Sequence, residues 1–158
     1  MSGYYEIGIY HTKAEVNVGT LWRSAFQLGA SGVFTIGCRY KRQASDTVNA
    51  MYQIPLRHYE TFDEFKANRP IGATLVGIEM GGKPLSDFPH PKTAIYLLGA
   101  EDDGLPQEIL DYCNCVVSLE AINTLSYNVA VAGSLVMYSR VYFQRSNNGL
   151  QRTQSTRR

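Results

Sequence analysis

Asn17-Val18-Gly19-Thr20-Leu21-Trp22-Arg23 follows the short β-prone run Tyr5-Glu6-Ile7-Gly8-Ile9-Tyr10 across a polar loop, and this passage from strand to helix sets the fold. Asn17 is placed as a helix N-cap. Beyond it Leu21, Ala25 and Leu28 recur at i, i+4 and i+7, with Trp22 and Phe26 widening the apolar stripe. Thr20, Arg23 and Gln27 share the opposite side, so Arg23 points away from the core. Gly29 ends the helix, and Gly32-Val33-Phe34-Thr35-Ile36 reads as the next strand.

The alternation continues toward the carboxyl end. Thr61-Phe62-Asp63-Glu64 is a capping box opening a helix to about Asn68, which Arg69-Pro70 closes. Strands are expected over Ala73–Ile78, Thr93–Leu98 and Cys115–Leu119, with a turn at Gly81-Gly82-Lys83-Pro84. Pro106 to Tyr112 fits a short helix and Asn128 to about Phe143 a final one. Strands alternating with helices predict an α/β domain with a largely parallel sheet flanked by helices. Residues 1–145 are read as a single domain and residues 146–158 as a polar, basic tail without fixed structure.

With 44% apolar residues the chain can build one core, yet no stretch reaches the roughly 20 apolar residues of a membrane span. The amino end, Met1 to Glu6, lacks the n- and h-regions of a secretory signal, so the expected location is the cytoplasm. Cys38, Cys113 and Cys115 lack CxxC spacing and His11, His58 and His90 are scattered, so neither a disulfide framework nor a metal site is expected. The net charge of +1 is segregated: from Ala121 onward there is no acidic residue against Arg140, Arg145, Arg152, Arg157 and Arg158, leaving −4 for residues 1–120. A basic end suits a polyanionic partner; it equally suits a solvated tail.

In open parallel sheets ligands sit at the carboxyl ends of strands, which directs attention to the loops after Tyr10, Ile78, Leu98 and Leu119. The loop after Leu98 carries Gly99 and Gly104, which admit close backbone approach, and the carboxylates Glu101, Asp102 and Asp103 ahead of a helix. An acidic turn of this kind also serves as a plain helix cap. Gly77-Ile78-Glu79-Met80-Gly81-Gly82-Lys83 has the spacing of a phosphate-cradling loop, but Pro84 replaces the hydroxyl residue and Glu79 opposes phosphate. No GxGxxG follows a strand. Asn123, Thr124, Ser126 and Asn128 crowd the entrance to the last helix, more polar groups than one cap needs. Arg39, Lys41 and Arg42 around Tyr40 mix cations with an aromatic, as contacts to phosphate and base require; an ordinary polar loop has the same composition.

Taken together these segments resemble the TrmH (SpoU) family of SPOUT RNA methyltransferases, small single-domain type. Asn17, Gly19 and Arg23 meet its first motif, N-x-G-x-x-x-R. Leu98-Gly99-Ala100-Glu101-Asp102-Asp103-Gly104-Leu105-Pro106 is similar to its second, and Ser126-Tyr127-Asn128-Val129 to its third. The resemblance spans residues 5 to about 143. Ser118 stands where the family usually has Pro, Tyr127 where it has Leu, and the loop to Ser126 is one residue longer.

The resemblance implies a carboxyl-terminal deep trefoil knot, a feature otherwise nearly absent from proteins, and a homodimer. It implies S-adenosyl-L-methionine as cofactor, lined by Ile78, Gly99, Val117, Leu119 and Ser126. Catalytic positions carry over to Asn17, Arg23, Glu101, Ser126 and Asn128, and RNA contacts to Arg23 with Arg39, Lys41 and Arg42. The expected activity is transfer of a methyl group to a ribose 2′-hydroxyl of RNA, tRNA ahead of ribosomal RNA. The alternative is a knotted RNA-binding protein without turnover. An unperturbed guanidinium is a poor base, so Arg23 is expected to act as a cation on phosphate and hydroxyl.

Overall fold

Side chains alternate across Tyr4–Tyr10 (β1), a strand buried on both faces: Tyr5, Ile7 and Ile9 enter one core, while Tyr10 packs on the other. The computed structural model describes residues 3–38 and 53–155, with side chains to residue 146. After β1 come α1 (Glu15–Gln27), β2 (Gly32–Ile36), β3 (Leu56–Tyr59), α2 (Phe62–Asn68) and β4 (Thr74–Pro84). A single 3-10 turn at Leu85–Asp87 leads to β5 (Thr93–Leu98), α3 (Gln107–Tyr112), β6 (Cys115–Ser118) and α4 (Val129–Ser155). The six strands form one sheet in the order β3-β2-β1-β5-β4-β6, every neighbouring pair parallel. The expected α/β class is therefore observed.

Each sheet face has its own core. Ile7, Ile9, Tyr96 and Leu98 meet Val18, Leu21 and Ala25 of α1 and Val129, Val136 and Met137 of α4. Phe34, Leu75, Ile95 and Leu97 meet Phe65 of α2 and Ile109 of α3 on the other side. Gly133 lets α4 lie close: a Cβ there would overlap Leu21 and crowd Leu98 and Ile7. Among the described residues no helix is long and apolar enough to cross a membrane.

Four local expectations change. The helix begins at Glu15 behind Ala14, so Asn17 is not its cap; it lies within α1, 6% exposed. Strand β3 was not expected, because Leu56-Arg57-His58-Tyr59 reads as polar. Its Arg57 bonds to the buried Glu6 carboxylate at 2.7 Å, and Thr35 meets His58 at 2.9 Å. Beside that carboxylate, burial and the Glu6 hydrogen bond push the Tyr4 phenol up to about 12. The expected turn at Gly81–Pro84 is an outward excursion: Ile78 and Lys83 both register with Val117, and β4 resumes beyond it. Finally, α4 runs to Ser155 rather than ending near Phe143.

Arg140, counted above with the basic end, is wholly buried against the start of β5. Its guanidinium donates to the carbonyls of Pro91 (2.5 Å) and Lys92 (2.8 Å) and to the Tyr96 hydroxyl (3.1 Å), and lies over the Tyr5 ring. Tyr96 in turn lies 2.7 Å from His90 Nδ1, and His90 Nε2 lies 3.0 Å from Ser139 Oγ. Since arginine can only donate, the Tyr96 hydroxyl donates its hydrogen bond to Nδ1, and a neutral imidazole donates from Nε2 to the serine. Burial, reinforced by the Arg140 charge, lowers His90 to a pKa of about 4.

Candidate functional site

Register sets the carboxyl ends of β1, β5 and β6 level with the point where β4 bends outward. Ile9 pairs with Leu98, Leu98 with Ile78, and Ile78 with Val117, so the loops that follow emerge side by side. The outward excursion of β4, the loops after β5 and β6 and the first turn of α4 enclose a cavity of about 550 Å³. Volumes of this order are typical of small-ligand sites.

The walls are braced by polar groups that tie neighbouring segments together. Glu79 accepts hydrogen bonds from the backbone of Leu105 (2.8 Å) and Met80 (3.0 Å), joining the excursion of β4 to the loop after β5. That use of Glu79 is incompatible with a phosphate cradle at Gly77–Lys83. Gly99 leaves room for the loop's own backbone, because a Cβ there would overlap Gly104 and Leu105. Gly104, at φ 63°, donates to the Ala100 carbonyl at 3.0 Å and closes the turn. Glu120 accepts from the Ser86 backbone (3.0 Å) and hydroxyl, which holds its carboxyl below the usual range, and its carbonyl accepts from the Tyr127 hydroxyl (2.7 Å).

Beside the cavity runs a chain of side-chain hydrogen bonds. Asn128 Nδ2 donates to Asn17 Oδ1 at 3.0 Å, and Asn17 Nδ2 donates to Glu101 Oε1. The Thr12 hydroxyl reaches the same oxygen at 3.3 Å. Asn128 Oδ1 accepts from the backbone of Ala130 (2.9 Å) and Val131 (3.2 Å), making Asn128 the N-cap of α4. The second carboxylate oxygen of Glu101 has no partner among the described residues, and Glu101 itself lines the cavity.

Of the residues assigned from the sequence, Ile78, Gly99, Leu119, Ser126 and Glu101 line the cavity. Val117 lies beneath it, wholly buried in the core. Asn17, Glu101 and Asn128 come together in the chain just described. Arg23 does not join them: it is exposed on α1, with no hydrogen bond or ion pair among the described residues. Six positions beyond Asn17, it lies about 240° around the helix. Arg39, Lys41 and Arg42 lie outside the described residues. Thr12 and Glu79 were missed; Glu79 stood in a motif set aside for its phosphate reading, and nothing local distinguishes Thr12. Among the described residues no cluster of His, Cys, Asp and Glu could hold a metal ion.

Known proteins share this architecture. An uncharacterized tRNA/rRNA methyltransferase of Archaeoglobus fulgidus is 25% identical over 129 residues, covering 78% of this chain and 58% of that protein. The SpoU methyltransferase AviRb from Streptomyces viridochromogenes, solved in complex with the cofactor AdoMet, superposes with a TM-score of 0.77 at 24% identity, covering 92% of this chain and 60% of that one. A solved chain described as giving structural insights into the 2-OH methylation of C/U34 on tRNA superposes with a TM-score of 0.78 at 21% identity, over 92% of this chain and 99% of that one. The likeness to these structures is one of fold, the SPOUT α/β fold. The chain spans roughly half the length of the sequence relatives it matches. The family model matches residues 5–138, nearly the whole sheet and its helices, and the chain belongs to the SpoU rRNA Methylase family.

Proposed function

We propose that this chain is an S-adenosyl-L-methionine-dependent RNA methyltransferase that modifies a ribose 2′-hydroxyl, takes tRNA as substrate and works as a homodimer. The observation that carries the reading is the cavity between the excursion of β4 and the carboxyl ends of β5 and β6, bordered by the Thr12–Glu101–Asn17–Asn128 chain. Its donor set suits the cofactor: Ile78, Leu98, Leu119 and Ala132 offer apolar walls to an adenine ring, and loop backbone and Ser126 offer polar contacts. When bound, S-adenosylmethionine supplies a methyl group already activated on a sulfonium.

The remaining work falls to the protein. The open oxygen of Glu101 accepts a hydrogen bond from the ribose hydroxyl, while Asn17 and Asn128 fix the carboxylate and Ser126 orients the sugar. Arg23 holds phosphate and hydroxyl and stabilises developing negative charge, a contribution of about 3 kcal/mol. Because it turns away from its own Glu101, a second subunit completes the site. An exposed apolar stripe on α4, Val131, Leu135, Tyr138 and Tyr142, supports such pairing, being 47%, 40%, 62% and 66% exposed at helical spacing.

For tRNA, the support is the near-complete mutual coverage with the chain studied for C/U34 methylation. Ribosomal RNA is the reading that the family's description favours. Incubation with labelled S-adenosylmethionine and, separately, total tRNA and ribosomal RNA, followed by nucleoside mass spectrometry, tests it. A 2′-O-methyl nucleoside from tRNA is expected. No product from either RNA overturns the enzyme, a base-methylated product overturns ribose specificity, and product from ribosomal RNA alone overturns the tRNA assignment. Tyr138→Glu should give a monomer in sedimentation and abolish turnover; full activity as a monomer refutes the shared site.

A further inference from the structure

The loop after β1 holds a residue that neither the motifs nor the hydrogen-bonded chain uses. His11 has φ 53° and is the non-glycine residue with positive φ among those described. A β-carbon makes this conformation costly, and such outliers persist where the surrounding structure over-determines them. Here the restraints are visible. The His11 backbone donates to the Ile36 carbonyl at 2.8 Å, holding the end of β1 to the end of β2. Gly37 makes room for the ring, because a Cβ there would overlap the imidazole at Nε2 and Cδ2. The ring lies flat on Tyr10, centroids 4.1 Å apart and planes 21° from parallel.

The result is an exposed ring whose one face rests on Tyr10 and whose Nε2 edge lies against backbone. What it offers to solvent is its other face. It stands one residue before Thr12, which bonds to Glu101 of the cavity wall, and is not itself among the residues that line the cavity. An aromatic face, held rigidly and turned outward beside a site for RNA, is suited to stacking, since every base presents a π-face.

We infer that the Tyr10–His11 pair is a stacking platform for an unpaired base of the RNA substrate, adjacent to the nucleotide held at Glu101. The inference rests on the reading of the site as an RNA methyltransferase site. Stacking, not hydrogen bonding, is its contribution: the strained backbone aims the ring and Tyr10 backs it. Replacement by another aromatic ring therefore preserves the function, while replacement by a small side chain removes it.

The test is binding of a fluorescein-labelled, mixed-sequence single-stranded RNA 12-mer, followed by anisotropy in full-length protein without cofactor. His11→Ala should weaken binding about tenfold, the order expected for one lost base–aromatic stack, and His11→Phe should stay within about threefold of the parent. His11→Gly should lose the same affinity as His11→Ala yet melt roughly 2–4 °C higher, because glycine relieves the strained backbone. Equal binding by the parent and His11→Ala overturns the platform. Loss of binding in His11→Phe as large as in His11→Ala overturns stacking as the mode, and a parent that fails to bind the 12-mer overturns the inference outright. Binding with the expected order of variants, but no methylated product, upholds the platform and sinks only the methyl-transfer reading.

Discussion

The two ends of the sheet are both built from polar side chains, and they use them in opposite ways. At the amino end Arg140, Tyr96, His90 and Ser139 form a sealed network around the start of β5, in which the guanidinium is spent on two carbonyls and a hydroxyl. At the carboxyl end Asn128, Asn17, Thr12 and Glu101 form a chain of similar size that stops short, leaving one carboxylate oxygen open beside a cavity. The first network holds a helix to a sheet. The second is preorganised and incomplete, the condition for receiving a ligand. Polarity alone does not mark a site; an unspent hydrogen-bonding position facing a cavity does.

The largest expected effect lies at the sealed end. Arg140→Ala removes the partner of three acceptors and leaves a void, so stability should fall by about 4 kcal/mol in urea denaturation. Cofactor affinity of the folded fraction should be unchanged. A folded Arg140→Ala protein with weakened cofactor binding would break the comparison.

A second prediction uses pH. His90 is lowered from 6.5 to about 4 in the folded protein. Above pH 6.5 the imidazole is neutral in both states and contributes no pH dependence. Between pH 6.5 and 4 the unfolded chain takes up a proton that the folded protein refuses, so stability falls by about 3 kcal/mol and then levels off. Urea unfolding of the parent and of His90→Gln across this range isolates the difference; identical profiles would show that the amino end is less sealed than its geometry says.

The open end should behave differently. Asn17→Ala strands Asn128 and removes a donor from Glu101, at a cost of about 2 kcal/mol in stability. Its loss of methyl transfer should exceed its loss of cofactor affinity, as separate turnover and calorimetric measurements would reveal. Smallest of all is Lys13→Ala, which removes an exposed ion pair with Asp102, 3.1 Å apart. No measurable change in melting temperature is expected, and a clear drop would mean that the acidic loop is held from outside.

The sheet was legible where short apolar, β-prone runs are bounded by glycines and polar loops, since its strands are buried on both faces, and α1 was legible where Leu21, Ala25 and Leu28 recur at helical spacing. Strand β3 was hidden because Arg57 answers a buried Glu6 on a strand distant in sequence. Asn17 has the chemistry of a cap, and only its tertiary partners show that it serves inside the helix instead. Arg140 carried a signal that a charge count overlooks: with Val129, Gly133 and Val136 it falls on one stripe of α4, the stripe that packs on α1 and the sheet. Arg23 was read as lying on the polar face of α1 and is exposed there; under the dimer proposed above its partners come from a second copy of the chain, which one sequence does not display.

Asn128 belongs to two structures at once, as the terminus of the chain from Glu101 and the cap of α4. The amide protons of Ala130 and Val131 are therefore slowed in hydrogen exchange only while Asn128 keeps its place. Two backbone amides, neither of which lines the cavity, thus serve as a built-in gauge of the site: a molecule that pulls on Asn128 or Glu101 should register there without any turnover.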